Sequence, residues 1–224
     1  MPTFATPGPI TATVKVAGAQ VRVTASDRTD TAVLVEPINR ASQSDVKVAN
    51  KTKVDFASGQ LKVKTTASGD KNGSVAITID LPAGSRLAAN LAYSSVHADG
   101  PLGGCELHMA SGRVRLDRID ALRANISAGE VAIDRADGSV TATTASGAIR
   151  IGRMTHGQAK LMNGSGNIEV GISEGTVASI DANSERGAVH NFVSSQGNSD
   201  PSDPKVMVHA RTRHGDIIIQ RAAS

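Results

Sequence analysis

The chain has 224 residues, 39% hydrophobic and 20% charged, a composition that excludes wholesale disorder and points to one domain of ordinary size or two unequal lobes. Aromatic residues are only 2%, with no Trp, so the core has to be built from Val, Ile, Leu and Ala, and sugar recognition by ring stacking has almost nothing to work with. A net charge of +3 argues against nucleic-acid binding by bulk charge, and a single cysteine excludes an intrachain disulfide framework and any cysteine-cluster metal site.

The N-terminus, MPTFATPGPITATVKV, has no basic n-region and no apolar stretch of signal-peptide length. No run of 18 apolar residues occurs anywhere, so no membrane span is expected and the expected location is cytoplasmic. Six strand-like stretches occupy the first third of the chain: ITATVKV (10–16), QVRVTA (20–25), TAVLVEP (31–37), TKVDFA (52–57), QLKVKT (60–65) and SVAITIDLP (74–82). Short turns at 17–18, 58–59 and 68–73 join several of them, which predicts antiparallel hairpins. Residues 1–85 are therefore read as an antiparallel β section that caps the remainder of the chain, with LPAGS (81–85) as the bend. No segment carries a helical apolar period longer than two turns.

From residue 86 onward the chain repeats. The copies are MASGRVRL (109–116), ISAGEVAI (126–133), TASGAIRI (144–151), NGSGNIEV (163–170), SERGAVHN (184–191) and TRHGDIII (212–219). Their glycines, Gly112, Gly129, Gly147, Gly166, Gly187 and Gly215, are 17, 18, 19, 21 and 28 residues apart. Seven and five residues before each glycine, and two and four after it, every residue is apolar except Asn191. The columns run Cys105, Leu122, Val140, Ala159, Ile180, Val208 and Leu107, Ala124, Ala142, Leu161, Ala182, Ala210. After the glycine they run Val114, Val131, Ile149, Ile168, Val189, Ile217 and Leu116, Ile133, Ile151, Val170, Asn191, Ile219. Polar residues between them give the period-two alternation of strands with one buried face. Ser94 fills the glycine place in an earlier copy.

Length varies only between these arcs, and the longest connection, in 192–207, reads SSQGNSDPSDP. One glycine per arc, with the apolar phase kept on both sides, suits a sharp corner within a rung better than a two-residue hairpin turn. The expected fold class is all-β: a single-stranded β-helix, or β-solenoid, of about seven rungs over 86–224, preceded by the antiparallel section, with the six glycines as structural corners.

Catalytic chemistry finds little support. None of the six histidines forms HxH, HExxH or a Cys/His cluster, and most fall at outward positions. Cys105 sits in an inward column and reads as a small buried hydrophobe. A polysaccharide lyase or hydrolase would need acids clustered on adjacent rungs. The outward column Arg115, Ala132, Arg150, Glu169, His190, Ile218 holds one acid, and Asp117 and Asp134 start turns. Arg113, Arg115, Arg118, Arg150 and Arg153 could form a strip for an anionic polymer, interrupted by Glu130, Asp134 and Glu169. No catalytic residue, metal site or cofactor is assigned.

The opening FATPGPITATVKVAGAQVRVTASDRTDTAVLVEP, the link SVAITIDLPAGS and the repeated SG-x-V-x-V units together resemble the bacterial adhesin-like, or toastrack, family of β-strand-repeat proteins of unknown function. The resemblance covers nearly the whole chain. It implies a β-helical solenoid, a non-enzymatic role and no catalytic residues to transfer. Some relatives are tied to the cell envelope by membrane segments or signals, and this sequence shows neither. The expected function is a scaffold or interaction protein that binds a protein partner or self-associates. Its candidate surface is Arg113, Arg115, Arg150 and Ile218, with Ile218 on an exposed C-terminal rung, DIIIQ (216–220). Its alternatives are a lyase or hydrolase on one face and anionic-polymer binding by the arginines.

Overall fold

The computed structural model describes residues 2–65, 73–193 and 205–222. They are all-β apart from one helix, in two compact units, Met1–Arg113 and Val114–Ser224. The sequence boundary at 85 falls inside the first unit.

The first unit holds β1 (Thr3–Ala5), β2 (Thr11–Ser26), β3 (Asp30–Pro37), α1 (Gln43–Lys51), β4 (Thr52–Ala57), β5 (Gln60–Thr65), β6 (Val75–Pro82) and β7 (Arg86–Leu102). Strand β8 (Gly104–Ile119) runs across the unit boundary. Antiparallel pairing is present, as β1 on β3, β3 on β6 and β4 on β5. Strand β2, however, is parallel to β5 and β6 on one side and to β7 on the other, from Thr11 opposite Arg86 to Thr24 opposite Asp99. The coil thus starts at residue 11. Alternation of Val14, Val21 and Val23 with polar neighbours reports which face is buried, and carries no information about strand direction. Ser94, at the glycine place of β7, accepts from the Ala19 N–H of β2 through its Oγ at 3.0 Å.

The helix departs from the sequence expectation. It is short, buries Val48 and Asp45, and therefore has almost no apolar period to read. Its signal is a cap: the Ser42 hydroxyl accepts from the Asp45 N–H at 3.3 Å. The Asp45 carboxylate accepts from the backbone N–H groups of Ser74 and Asn39, each at 3.0 Å, tying the helix start to β6.

The second unit holds β9 (Leu122–Ala136), β10 (Val140–Ser146), β11 (Ile149–Met154), β12 (Gly157–Ser165), β13 (Ile168–Ile172), β14 (Val177–Arg186), β15 (Val189–Asn191), β16 (Lys205–His214) and β17 (Ile217–Arg221). Each rung is two strand arms around a glycine corner, paired in parallel with its neighbours. Leu122 lies opposite Val140, and Val140 opposite Ala159. Ala159 then lies opposite Val208, and Val208 opposite Ile180. On the second arm Val131, Ile149, Ile168, Ile217 and Val189 follow one another in the same way.

The spatial order therefore departs from the chain order: β16–β17 is inserted between β12–β13 and β14–β15. The expectation of an exposed C-terminal rung carrying Ile218 is wrong. The end rung is β14–β15, and Ile218 sits in a strand paired on both sides, opposite Glu169 and His190. Asn191 explains the choice. It is the one polar residue in the four apolar columns, and burying an unpartnered amide costs about 1–3 kcal/mol. At the end of the stack it is exposed, whereas Ile219 in the inserted rung is fully buried.

At the corners, Gly112, Gly129, Gly147, Gly166 and Gly215 have φ between +129° and +147°, and Gly187 lies outside that range. At Gly147 the need is plain: an added Cβ would lie 1.7 Å from the Gly129 carbonyl oxygen of the next rung. Gly147→Ala is expected to lower stability by about 3 kcal/mol or more, from φ strain plus a backbone clash. Gly8→Ala, with nothing within 4 Å of its added Cβ, should stay within about 0.5 kcal/mol in the same denaturant titrations.

The N–H groups of Ser74 and Asn39, in that order, hold the Asp45 carboxyl below its ordinary value. Its stabilising contribution is complete above the unfolded value of about 3.9 and is lost as pH falls through the lower folded value. Hydrogen-exchange protection of residues 43–51 should therefore collapse on acidification below about pH 4. Asp45→Asn should flatten that pH dependence.

Candidate interaction surface

The outward column of the second unit places the sequence candidates. Arg150 lies between Ala132 and Glu169, and Glu169 opposite Ile218. Arg150 is exposed, with its Nε 3.2 Å from the Glu169 carboxylate. Arg113 and Arg115 are exposed and lie two residues apart on β8, while Ile218 is half-buried. Nearby, Arg118 and Arg135 both donate to Asp137, at 2.6 and 2.8 Å. Desolvation pushes the Asp137 carboxyl up, but hydrogen bonds from Arg135, Thr155 and Arg118 outweigh it and hold it below its ordinary value. Arginines and acids from neighbouring rungs thus meet as pairs, an arrangement that keeps a regular outer face soluble.

Cys105 is buried, and burial pushes its thiol up to about 12, so no thiolate nucleophile is present near neutral pH. Histidines meet individual partners: His97 with Asp99 at 2.9 Å, His209 with Asp181 at 2.9 Å, and His190 stacked on Phe192. Among the described residues no group of three or more His, Cys, Asp or Glu could hold a metal ion. Among them too, no helix is long and apolar enough to cross a membrane.

The end rung is the feature that stands apart. β14 pairs with β16 and β15 with β17, and no further strand pairs with their other edge among the described residues. In the inserted rung Val208, Ala210 and Ile217 are 2%, 0% and 0% exposed. Their end-rung counterparts Ile180 and Ala182 are half-buried and Val189 is 42% exposed, with Phe192 beyond them at 66%. Aliphatic side chains that are fully buried in the inserted rung are thus partly exposed here. Polar contacts pin the rung from outside: Asp181 accepts two bonds from Arg211 Nη2, at 2.8 and 2.7 Å, and one contact from His209. Those bonds, the guanidinium's first, hold the Asp181 carboxyl below its ordinary value.

One set of positions escaped the sequence reading. Three residues before each corner glycine stand Thr144, Asn163, Thr212 and Ser184, and the first three are buried. Asn163 Nδ2 donates to the Gly147 carbonyl at 2.6 Å, Thr212 Oγ1 to that of Gly166 at 3.3 Å, and Ser184 Oγ to that of Gly215 at 2.8 Å. These three corner carbonyls face the neighbouring glycine where a ladder N–H would otherwise be, so a side chain supplies the donor. The signal was the switch from Met109 and Ile126 at this position to Thr, Asn, Ser and Thr. Above this column lies an open groove of about 500 Å³, lined among others by Met162, Arg211 and Arg213. The Thr144 hydroxyl beside it has no partner.

Short parallel rungs turning on stacked glycines define a β-solenoid of the strand-repeat class. The chain belongs to the Toastrack DUF4097 family, whose pattern matches residues 11–220. No curated protein matches it. Solved structures similar to it include a candidate cell adhesion protein from Clostridium sporogenes, 12% identical, TM-score 0.44, with 98% of each chain covered. A candidate adhesin from Bacteroides fragilis is 11% identical, TM-score 0.35, covering 98% of this chain and 95% of that one. A candidate lipid binding protein from Parabacteroides distasonis is 15% identical, TM-score 0.39, covering 99% and 96%.

Asn163→Ala leaves the Gly147 carbonyl without its side-chain donor in a buried corner. A loss of about 1–3 kcal/mol is expected in denaturant titrations, while Asn183→Ala, an exposed control, should change stability by less than about 0.5 kcal/mol.

Proposed function

We propose that the chain is a non-enzymatic scaffold whose end rung, β14–β15, takes up an extended strand of a protein partner. The observation that carries this reading is the open edge itself. Ile180, Ala182 and Val189 continue the inner columns, yet among the described residues a strand pairs with them on one side only. An added strand gains the main-chain ladder and the aliphatic column together. A second copy of the chain offers such a strand, which makes the reading testable with the purified protein.

Two observations weigh against the alternatives. The carboxyls displaced from their ordinary values, Asp30, Asp45, Asp137 and Asp181, are all held low, whereas a general acid for glycoside cleavage needs one raised. The arginines proposed for an anionic polymer include Arg118 and Arg150, which already face acids. A reducing cytoplasmic setting fits the single buried thiol, and we include it in the reading.

Sedimentation velocity tests the edge. The wild-type chain should associate as concentration rises, and Val189→Lys should weaken association at least about tenfold, as a charge on an edge strand does. Arg115→Lys should change nothing. A wild-type chain that stays monomeric at high concentration, and that Val189→Lys leaves unaltered, overturns self-association at this edge.

A further inference from the structure

The inserted rung has a second consequence, independent of the open edge. Residues 157–191 build both walls of a gap: β12–β13 on one side and β14–β15 on the other. The filler, β16–β17, comes from residues 205–221, later in the chain than either wall. The turn 173–176 steps over the filler's end and is bonded to it. Arg221 Nη1 donates to the carbonyls of Ser173 and Thr176, at 2.9 and 2.8 Å, and the Ala222 N–H donates to the Ile172 carbonyl at 2.9 Å. The gap is therefore a receptor for one strand chemistry. It takes an arm with aliphatic residues at alternate positions, a corner glycine, a second aliphatic arm and an arginine at the end.

We infer that this gap accepts the 205–222 rung of a second copy as well as its own, giving strand-exchanged dimers. The other rungs of the second unit are joined by connections of two to four residues: 137–139, 155–156 and 173–176. The filler is joined through residues 192–204, thirteen in all. Thirteen residues reach at most about 45 Å when extended, while neighbouring rungs are only about 4.8 Å apart. The length that lets the filler return into its own gap also lets it reach the gap of a neighbour. Exchange costs no burial, because Val206, Val208, Ala210, Ile217 and Ile219 enter identical surroundings, each at 2% exposure or less. Own and foreign filling then differ in effective concentration, so the exchanged form is favoured when chains fold at high concentration.

Cross-strand thiols read this out. Gln158 lies opposite Met207 in the β12–β16 register, and both side chains are exposed. In a Cys105→Ala background, chains carrying Gln158→Cys and chains carrying Met207→Cys are mixed, unfolded, refolded together and then oxidised. Covalent heterodimers joined 158 to 207 are expected, at least about tenfold more abundant after refolding at ~1 mM than at ~10 µM. Association at the open edge leaves Gln158 of each chain opposite that chain's own Met207 and yields no such cross-link, which separates exchange from association there. A chain carrying both substitutions should close its own disulfide after dilute refolding. Closure in that chain without 158–207 heterodimers in the mixture overturns exchange. Failure to close overturns the rung order on which exchange stands. The pair Glu169→Cys and Ile218→Cys, opposite each other in β13–β17, repeats the test where the first pair refolds poorly.

Discussion

The carbonyl oxygen of one corner glycine lies against the Cα of the corner glycine in the neighbouring rung, and nothing larger than hydrogen fits between them. Added Cβ atoms at Gly147, Gly166, Gly215 and Gly187 would stand 1.7 to 2.3 Å from the oxygens of Gly129, Gly147, Gly166 and Gly215. This contact runs through the second unit and sets its other regularities. Corners that touch backbone to backbone must stack directly, so the arms on either side keep register, and inward residues meet inward residues as Val140 meets Leu122 and Ala159. The same contact takes the glycine carbonyl out of the ladder. Asn163, Thr212 and Ser184 then answer the exposed acceptor from inside the tube. A column of small polar residues next to an aliphatic core is thus a consequence of the corner, with no ligand needed to account for it.

Rung order follows from a second constraint, the cost of an end. A solenoid must stop somewhere, and the rung at the stop exposes one side of its inner columns. Two rungs competed for the inner place in the second unit. The β16–β17 rung offers Ile217 and Ile219 on its second arm, and the β14–β15 rung offers Val189 and Asn191. Seating the all-aliphatic arm inside and the amide-bearing arm at the end is the cheaper arrangement. The end rung also carries Asp181, Glu185 and Arg186, charges that discourage indiscriminate pairing at an edge.

The apolar columns and the corner glycines were legible because both are local: period-two alternation and a small residue at the bend recur within twelve residues. Leu122, Val140 and Ala159 do stack as their spacing implies. What escaped depends on comparison across rungs or on chemistry without a period. The parallel direction of β2 is invisible to alternation. Helix α1 buries one aliphatic side chain and is announced only by the Ser42 cap. The inserted rung required weighing Asn191 against Ile219 as rivals for one place, whereas chain order was the natural assumption. Ile218, read as an exposed apolar residue at an edge, is instead flanked by Glu169 and His190.

These constraints also bear on where binding can arise. Along the flanks every outward position is one of a stacked column, and its neighbours are one rung away at fixed spacing. Charges there find opposite charges on the next rung, as Arg150 finds Glu169 and Arg118 finds Asp137, or close by in the chain, as Arg135 finds Asp137. A face whose charges are already paired offers a ligand little electrostatic gain. Among the described residues of the second unit, uncommitted bonding capacity is left where stacking stops, at β14–β15, or where it is completed by a later segment, at the gap that β16–β17 fills. In the two proposals made above, both places take the same partner chemistry, an extended strand with aliphatic residues at alternate positions. On that proposed reading, the residues that would recognise a strand are the ones that build the core.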